Sequence, residues 1–116
     1  MIKAADDLFS LIIKARDKRC RKCGSTQNLT CAHFITCGRF SIRFDERNSL
    51  CLCWYGCHLP LTNDPAAHKK FFLEQLGQDV VDELIQISNG DLPNYKSWYG
   101  GSEHIKELRS RLKELS

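Results

Sequence analysis

Two closely spaced pairs of cysteines constrain the fold of this chain more than any other feature of its sequence. The first pair is Cys20-x-x-Cys23, and the second is Cys53-x-x-x-Cys57. Such pairs can bring four thiolates around one ion, and zinc takes four ligands of this kind in a tetrahedral structural site. We therefore predict a structural Zn²⁺ held by both pairs, with Cys51 as an alternative to Cys53 because Cys51-x5-Cys57 is also conceivable.

Length and cysteine content indicate the domain organisation and the compartment. A chain of 116 residues forms one domain with a modest core, so we treat residues 1–116 as a single domain. The longest apolar run, Leu8 to Ile13, contains Ser10 and is too short to cross a membrane. The odd number of cysteines, seven, argues against a set of disulfides. We expect a protein without a signal peptide, located in the reducing cytoplasm.

Positive charge is concentrated around the cysteine pairs. The net charge of the whole chain is only +3, but residues 14–47 contain nine Lys or Arg against three acidic residues. A cluster of cations favours a polyanion such as nucleic acid, because neutralised phosphates release their counterions. A solvated basic surface would explain the same charge equally well.

Hydrophobic periodicity predicts a helix at each end of the chain and two strands within its first half. Apolar residues at helical spacing predict a helix over about residues 3–18. A short apolar run predicts a strand over 29–35, and alternation predicts a second strand over 39–45. In the second strand Arg39 and Arg43 would share one exposed face, where they could bind phosphates.

The C-terminal half is predicted to be helical. A helical turn should begin near Cys57, and Asp64-Pro65 is typical of an N-cap followed by the first residue of a helix that ends before Gly77. A further helix should cover about residues 80–87. A last helix, capped by Ser102, carries a stripe of leucines that could close the core or pair with a partner chain.

Between and behind the cysteine pairs stand His33, Asn48 and His58, and this constellation resembles the HNH (His-Me finger) endonucleases. The segments Ala32-His33-Phe34-Ile35 and Arg43 to Asn48 are similar to the phage NinG/Rap recombination endonucleases. The resemblance covers about residues 18–90. It implies an α+β fold in which a small zinc-stapled ββα-metal core, about residues 18–64, has flanking N- and C-terminal helices, the latter forming a helical extension over about 64–116.

The resemblance also implies a chemistry for these residues. The protein would be a metal-dependent DNA endonuclease in phage recombination, acting on branched DNA such as Holliday junctions or D-loops. His33 would be the general base, and Asn48 would orient it through its carbonyl or by fixing the adjoining loop. His58 would bind the catalytic Mg²⁺ or Mn²⁺. Ala32 stands where many HNH nucleases have a second ligand, so Asp45 is a weak candidate helper; alternatively, His33 is itself a ligand.

The expected partner is DNA, with no membrane and with a homodimer if both strands of a junction are cut symmetrically. Arg39, Arg43 and Arg47 are the candidate DNA contacts. The alternative function is a zinc-stapled DNA-binding module that is catalytically weak or inactive, with Ala32 as its signature. We interpret His68 as a residue of a helix surface. The aromatic residues near the last helix, Tyr95, Trp98 and Tyr99, should cover the core.

Overall fold

The computed structural model describes residues 2–35, 40–90 and 98–115, apart from the side chains of Ile2, Phe40 and Ser41. These residues form helices around one hairpin of strands, which confirms the α+β class. In chain order the elements are α1 (Ile2–Asp17), β1 (Leu29–His33), α2 (Phe40–Arg43), a 3₁₀ turn (Glu46–Asn48), β2 (Ser49–Cys53), a π-helical turn (Trp54–His58), α3 (Leu59–Thr62), α4 (Pro65–Leu76), α5 (Gln78–Asn89) and α6 (Ser102–Glu114).

The hairpin lies at the centre of the molecule. Strand β1 pairs antiparallel with β2, so that Leu29 lies opposite Cys53 and His33 lies opposite Ser49. Every residue of β2 is buried, because the two faces of the hairpin are covered by different elements. On one face, Leu50 and Leu52 form a hydrophobic cluster with residues of α3 and α4. A second cluster, formed around α1 and α6, covers the other face.

The first and last helices form the second half of the core. Helix α1 buries Phe9, Ile12 and Ile13, and α6 packs Leu108 into the same cluster. Burying such an apolar side chain stabilises the fold by roughly 1.5–3 kcal/mol. The helix predicted over 3–18 and the apolar stripe of α6 are therefore confirmed, and the stripe closes the core of its own chain.

The strand predicted over 39–45 is wrong for the part that the structure describes, residues 40–45. This segment forms α2 and a following turn, in which the Asp45 N–H donates to the Ile42 carbonyl at 3.1 Å. An alternation of apolar and basic residues this short is compatible with a strand and with a helical turn, so it does not distinguish between them. The strand that pairs with β1 is Ser49–Cys53 instead, and Arg39 lies outside the described residues.

The predicted start of the helix at Asp64-Pro65 is confirmed. The Asp64 carboxylate accepts a hydrogen bond from the Ala67 N–H at 3.2 Å, and Pro65 opens α4. Gly77, with φ +89°, separates α4 from α5 in a conformation that favours glycine. Helix α6 begins at Ser102 rather than after it, so Gly101 takes the cap position that was predicted for Ser102. Across the described ranges, none of the helices has the length and apolar character needed to cross a bilayer.

Candidate metal centre and histidine groove

The two cysteine pairs meet in space. The Sγ atoms of Cys20, Cys23, Cys53 and Cys57 all lie within 4.8 Å of one another, and those of Cys23 and Cys53 are 3.5 Å apart. Tetrahedral zinc with Zn–S bonds of about 2.3 Å would set its sulfurs about 3.8 Å apart. The cluster therefore fits a structural Zn²⁺. Cys51 packs in the α1–α6 cluster on the opposite face of the hairpin, so Cys53 is the fourth member of the set.

Two glycines give the cysteine cluster its shape. In the loop after α1, the Gly24 N–H donates to the Cys20 carbonyl at 3.0 Å, and Gly24 has φ +80°. A side chain there would strain the backbone. In the π-helical turn, a Cβ added to Gly56 would lie only 3.2 Å from the Cys53 sulfur. Both glycines leave room for backbone and sulfur to approach each other closely.

The thiols of the cluster differ in acidity. Burial raises the pKa of Cys20, but hydrogen bonds from the backbone amides of Cys23, Cys53 and Lys22 outweigh it and lower that pKa to about 6. Burial and the neighbouring thiols raise the pKa of Cys57. The cluster thus holds a first thiolate readily, and a divalent cation would stabilise the others with release of protons.

The remaining described cysteines are of a different kind. Burial raises the pKa of Cys31 and of Cys51 to about 11. Both thiols therefore stay protonated near neutral pH and act as small apolar side chains rather than as metal ligands or nucleophiles.

His33 ends β1 and keeps one basic ring nitrogen. Its Nε2 lies 3.2 Å from the Arg43 carbonyl oxygen, which can only accept, so Nε2 carries the proton and Nδ1 the lone pair. The ring packs at 5.8 Å between centroids from Phe9. Burial lowers the pKa of His33 below its ordinary value, despite the hydrogen bond to Arg43. The imidazole is therefore neutral at pH 7 and able to accept a proton.

Asn48 is fully buried and closes the loop that follows His33. Its Oδ1 accepts from the Ile35 N–H at 2.9 Å, and its Nδ2 donates to the carbonyls of Ile35 at 3.0 Å and Ile42 at 3.4 Å. Its backbone carbonyl accepts from the Phe34 N–H at 2.8 Å. These contacts fix the loop on both sides, which corresponds to the second of the two predicted roles for Asn48.

His58 lies in the π-helical turn directly after Cys57, and its protonation is also set by a neighbour. The Thr30 hydroxyl donates its single proton to the Leu52 carbonyl at 2.6 Å, and the same oxygen lies 2.6 Å from His58 Nδ1. The His58 Nδ1 must then be the donor, which leaves the lone pair on Nε2. Burial, with smaller contributions from His68 and His33, lowers the pKa of His58.

His68 belongs to the same region, so its interpretation as a surface residue is wrong. On α4 its ring lies near Phe34, almost parallel at 14°, and near Phe72, with centroids 4.8 Å apart. Its Nε2 lies 3.1 Å from the His33 carbonyl oxygen. The spacing of four residues from His68 to Phe72, a buried residue, is the sequence signal that would have placed both on one helix face.

The three histidines line one groove, which we call the histidine groove. It has a volume of about 350 Å³ and lies at the junction of β1, the π-helical turn, α3 and α4. Its described lining residues are His33, Phe34, His58, Leu61, Thr62, Pro65 and His68. Beside it, Trp54 packs edge-on against His58, and Tyr55 is 72% exposed. The groove thus brings three imidazole rings together, and Trp54, which is 36% exposed, packs against one of them.

Of the predicted arginines, Arg43 and Arg47 lie in the described part of the chain, and both make contacts within it. Arg43 donates to the Asp6 carboxylate at 2.9 Å, and Arg47 pairs with Asp45 and Glu83. Asp45 also accepts from the Arg47 N–H and caps the 3₁₀ turn. It does not belong to the described lining of the histidine groove, so the structure gives no support to Asp45 as a helper of the catalytic ion.

Some of the basic residues that cluster in the sequence stabilise the fold through contacts within the chain. Arg16 donates to the carbonyls of Glu46 and Ser49, both at 2.7 Å, and pairs with the buried Asp17. Lys14, in contrast, lines a second cavity of about 260 Å³ that His33 also lines. Lys14 is a cation near His33 that sequence reasoning counted but did not single out.

Comparison of the chain with models of known protein families, with curated proteins and with solved structures found no match. The resemblance to HNH endonucleases therefore rests on residues of this chain alone. The geometry of the cysteine cluster and of the histidine groove is what bears on function.

Proposed function

We propose that this chain is a metal-dependent DNA endonuclease of the HNH (His-Me finger) type, with the hairpin, the π-helical turn and α3 as a zinc-stapled ββα-metal core. The observation that carries the proposal is that His33 and His58 line one groove with one unprotonated ring nitrogen each. Phosphodiester hydrolysis needs a base for water and a cation for the phosphate, and these two nitrogens suit the two tasks.

His33 acts as the general base. Its Nδ1 accepts a proton from the attacking water, while the Arg43 carbonyl holds the Nε2 proton and fixes the ring. Asn48 keeps the backbone after His33 in place through its bonds to Ile35 and Phe34. Lys14, in the cavity that His33 also lines, is placed to attract a phosphate of the DNA backbone.

His58 would hold the catalytic divalent ion, predicted as Mg²⁺ or Mn²⁺, through Nε2. When bound, the ion stabilises the negative charge that develops on the scissile phosphate and on the leaving oxygen. Consecutive residues of a helical turn point in different directions, so Cys57 can face the zinc site while His58 faces the groove. One turn thereby links the structural and the catalytic site.

The substrate is DNA, in recombination intermediates of a phage and preferably branched. The resemblance to NinG/Rap nucleases supports the branched substrate, and exposed Trp54 and Tyr55 beside the groove offer faces on which unpaired bases could stack. Symmetric cutting of a four-way junction would require a homodimer. The protein would act in the cytoplasm.

The alternative is a zinc-stapled DNA-binding module without catalysis. One observation favours it: Ala32, at the position of an expected second ligand, is 1% exposed and packs in the core with Leu50 and Phe72. An alanine side chain cannot bind a metal, so the ion would have one protein ligand fewer than in many HNH nucleases.

A cleavage assay separates the two functions. Zinc-loaded protein is incubated with Mg²⁺ or Mn²⁺ and with a linear duplex or a four-way junction of the same sequence. We expect cleavage by the wild type, and a rate about 100-fold to 10,000-fold lower for His33→Gln, because its amide can keep the bond to Arg43 but cannot act as base. His104→Asn serves as the control, because His104 lies on α6 outside the lining of the histidine groove and an Asn oxygen can still accept from the Gly100 N–H. DNA binding without cleavage in any divalent ion would establish the module instead.

A further inference from the structure

We propose that His68 is a second protein ligand of the ion in the histidine groove, and that the pair of His58 and His68 selects a transition-metal ion over Mg²⁺. The inference rests on the proposed function for the presence of an ion in this groove. It adds a residue that neither the sequence motif nor the resemblance supplies, and it narrows the choice between Mg²⁺ and Mn²⁺ to the transition-metal class.

The protonation of His68 leaves a ligand atom. Its Nε2 donates to the His33 carbonyl at 3.1 Å, so the neutral ring carries its lone pair on Nδ1. Histidine ligands of metals commonly donate their other ring N–H to a backbone carbonyl, which fixes the tautomer and raises the basicity of the ligating nitrogen. The hydrogen bond of His68 to the His33 carbonyl has this arrangement.

His58 has the matching arrangement with the opposite tautomer. Its Nδ1 donates to the Thr30 hydroxyl at 2.6 Å, and Thr30 in turn donates to the Leu52 carbonyl. The free nitrogen of His58 is therefore Nε2. Both rings line the histidine groove, one from the π-helical turn and one from α4.

The position of His68 is held from several sides. The ring packs against Phe34 and Phe72, and Phe72 is completely buried. A ligand that is fixed before the ion arrives loses little conformational freedom on binding. Helix α4 can thus supply the ligand that Ala32 does not supply from β1.

The donor set determines the metal class. Among its described lining residues, the histidine groove contains no Asp or Glu. Mg²⁺ prefers carboxylate, carbonyl and water oxygens, whereas imidazole suits ions such as Zn²⁺ and Ni²⁺. Two imidazoles and no carboxylate therefore favour a transition-metal ion.

Calorimetric titration with Ni²⁺ and with Mg²⁺ tests the proposal directly, without DNA. Tag-free protein that carries one equivalent of zinc, the amount that fills the cysteine cluster, is used, and its zinc content is measured after each titration. We expect the wild type to bind one equivalent of Ni²⁺ besides its zinc, and to bind Mg²⁺ at least 100-fold more weakly. His68→Gln keeps an amide donor toward the His33 carbonyl but removes the ligand nitrogen, and should weaken Ni²⁺ binding tenfold or more.

Matched variants complete the design. His58→Asn keeps a donor toward Thr30 and should lose Ni²⁺ affinity to a similar extent, whereas His33→Gln and His104→Asn should bind Ni²⁺ like the wild type. Unchanged Ni²⁺ affinity in His68→Gln, or equal affinity for Mg²⁺ and Ni²⁺, would overturn the proposal. Loss of Ni²⁺ binding in His33→Gln would overturn it too, because His33 would then be the ligand.

The outcomes distinguish this inference from the proposed function. If no DNA is cut but Ni²⁺ binding depends on His58 and His68, the metal site stands and the nuclease does not. If cleavage depends on His33 while His68→Gln binds Ni²⁺ normally, the nuclease stands and His68 is not a ligand.

Discussion

At the scale of single residues, the hydrogen bonds of the site determine which ring nitrogen of each histidine carries the proton. Carbonyl oxygens accept from His33 and His68, and a threonine hydroxyl accepts from His58. Each histidine is thereby left with one defined basic nitrogen. The sequence predicted His33 and His58 through a motif, but the contribution of His68 depends on how α4 packs beside β1, which no local pattern contains.

Asn48 gives a prediction at this scale. Asn48→Ala removes three side-chain hydrogen bonds and leaves the N–H and the carbonyl of Ile35 without their partner, while the Ile42 carbonyl still accepts from the Asp45 N–H. Since one unsatisfied buried group costs about 1–3 kcal/mol, the free energy of unfolding should fall by at least about 2 kcal/mol. Urea unfolding followed by circular dichroism measures this change.

The control for this prediction is Asn89→Ala, at the exposed end of α5, which should change the free energy of unfolding by no more than about 0.5 kcal/mol. An Asn48→Ala protein as stable as the wild type but unable to cut DNA would show that Asn48 acts on the reaction and not on the loop.

At the scale of elements, the cysteine cluster joins segments that lie about 30 residues apart along the chain. It connects the loop after α1 with the end of β2 and with the π-helical turn. The sequence was sufficient to predict this connection, because the spacing of the ligands within each pair follows from local geometry. It was not sufficient for residues 40–45, where buried contacts of Ile42 and the bonds to Asn48 decide between strand and helical turn.

Removal of a zinc ligand should therefore disrupt the fold. Zinc binding supplies about 10–16 kcal/mol in small zinc domains, a free energy comparable with the stability of a whole domain. We expect Cys20→Ser to purify with less than one equivalent of zinc and to lose its cooperative thermal transition. Zinc content by mass spectrometry and circular dichroism on heating provide the test.

Cys31→Ala is the matched control, because Cys31 lies on β1 outside the cysteine cluster and should leave the zinc content unchanged. A Cys20→Ser protein that is metal-free and still unfolds cooperatively at the wild-type temperature would refute the structural role of zinc.

At the scale of the whole molecule, two clusters lie on opposite faces of one hairpin, and α1 and α6 close the second of them. The ion pair of Arg111 with Glu46 joins α6 to the turn before β2, with 2.8 Å between Nε and the carboxylate. The amphipathic pattern of α6 was visible in the sequence. Its partner was not, because residues about one hundred positions apart meet only in the folded chain.

Leu108→Ala tests whether α6 belongs to the core of its own chain. Leu108 is 7% exposed, and its truncation should lower the free energy of unfolding by about 2–5 kcal/mol. Leu11→Ala, which is 48% exposed on α1, should change it by about 0.5 kcal/mol or less. Urea unfolding at two protein concentrations gives both values. A small effect of Leu108→Ala would mean that α6 packs elsewhere, and a concentration-dependent midpoint would indicate a partner chain.

The contact between His68 and the His33 carbonyl also determines when the site can exist during synthesis. His68 follows His33 by 35 positions, and one wall of the histidine groove comes from α4. All four cysteines of the cluster precede α4 in the chain, so they can come together before α4 has folded. The groove is assembled only after that helix has emerged. A chain interrupted before residue 65 would keep all four cysteines of the cluster but would lack His68 and the wall of the groove that α4 provides.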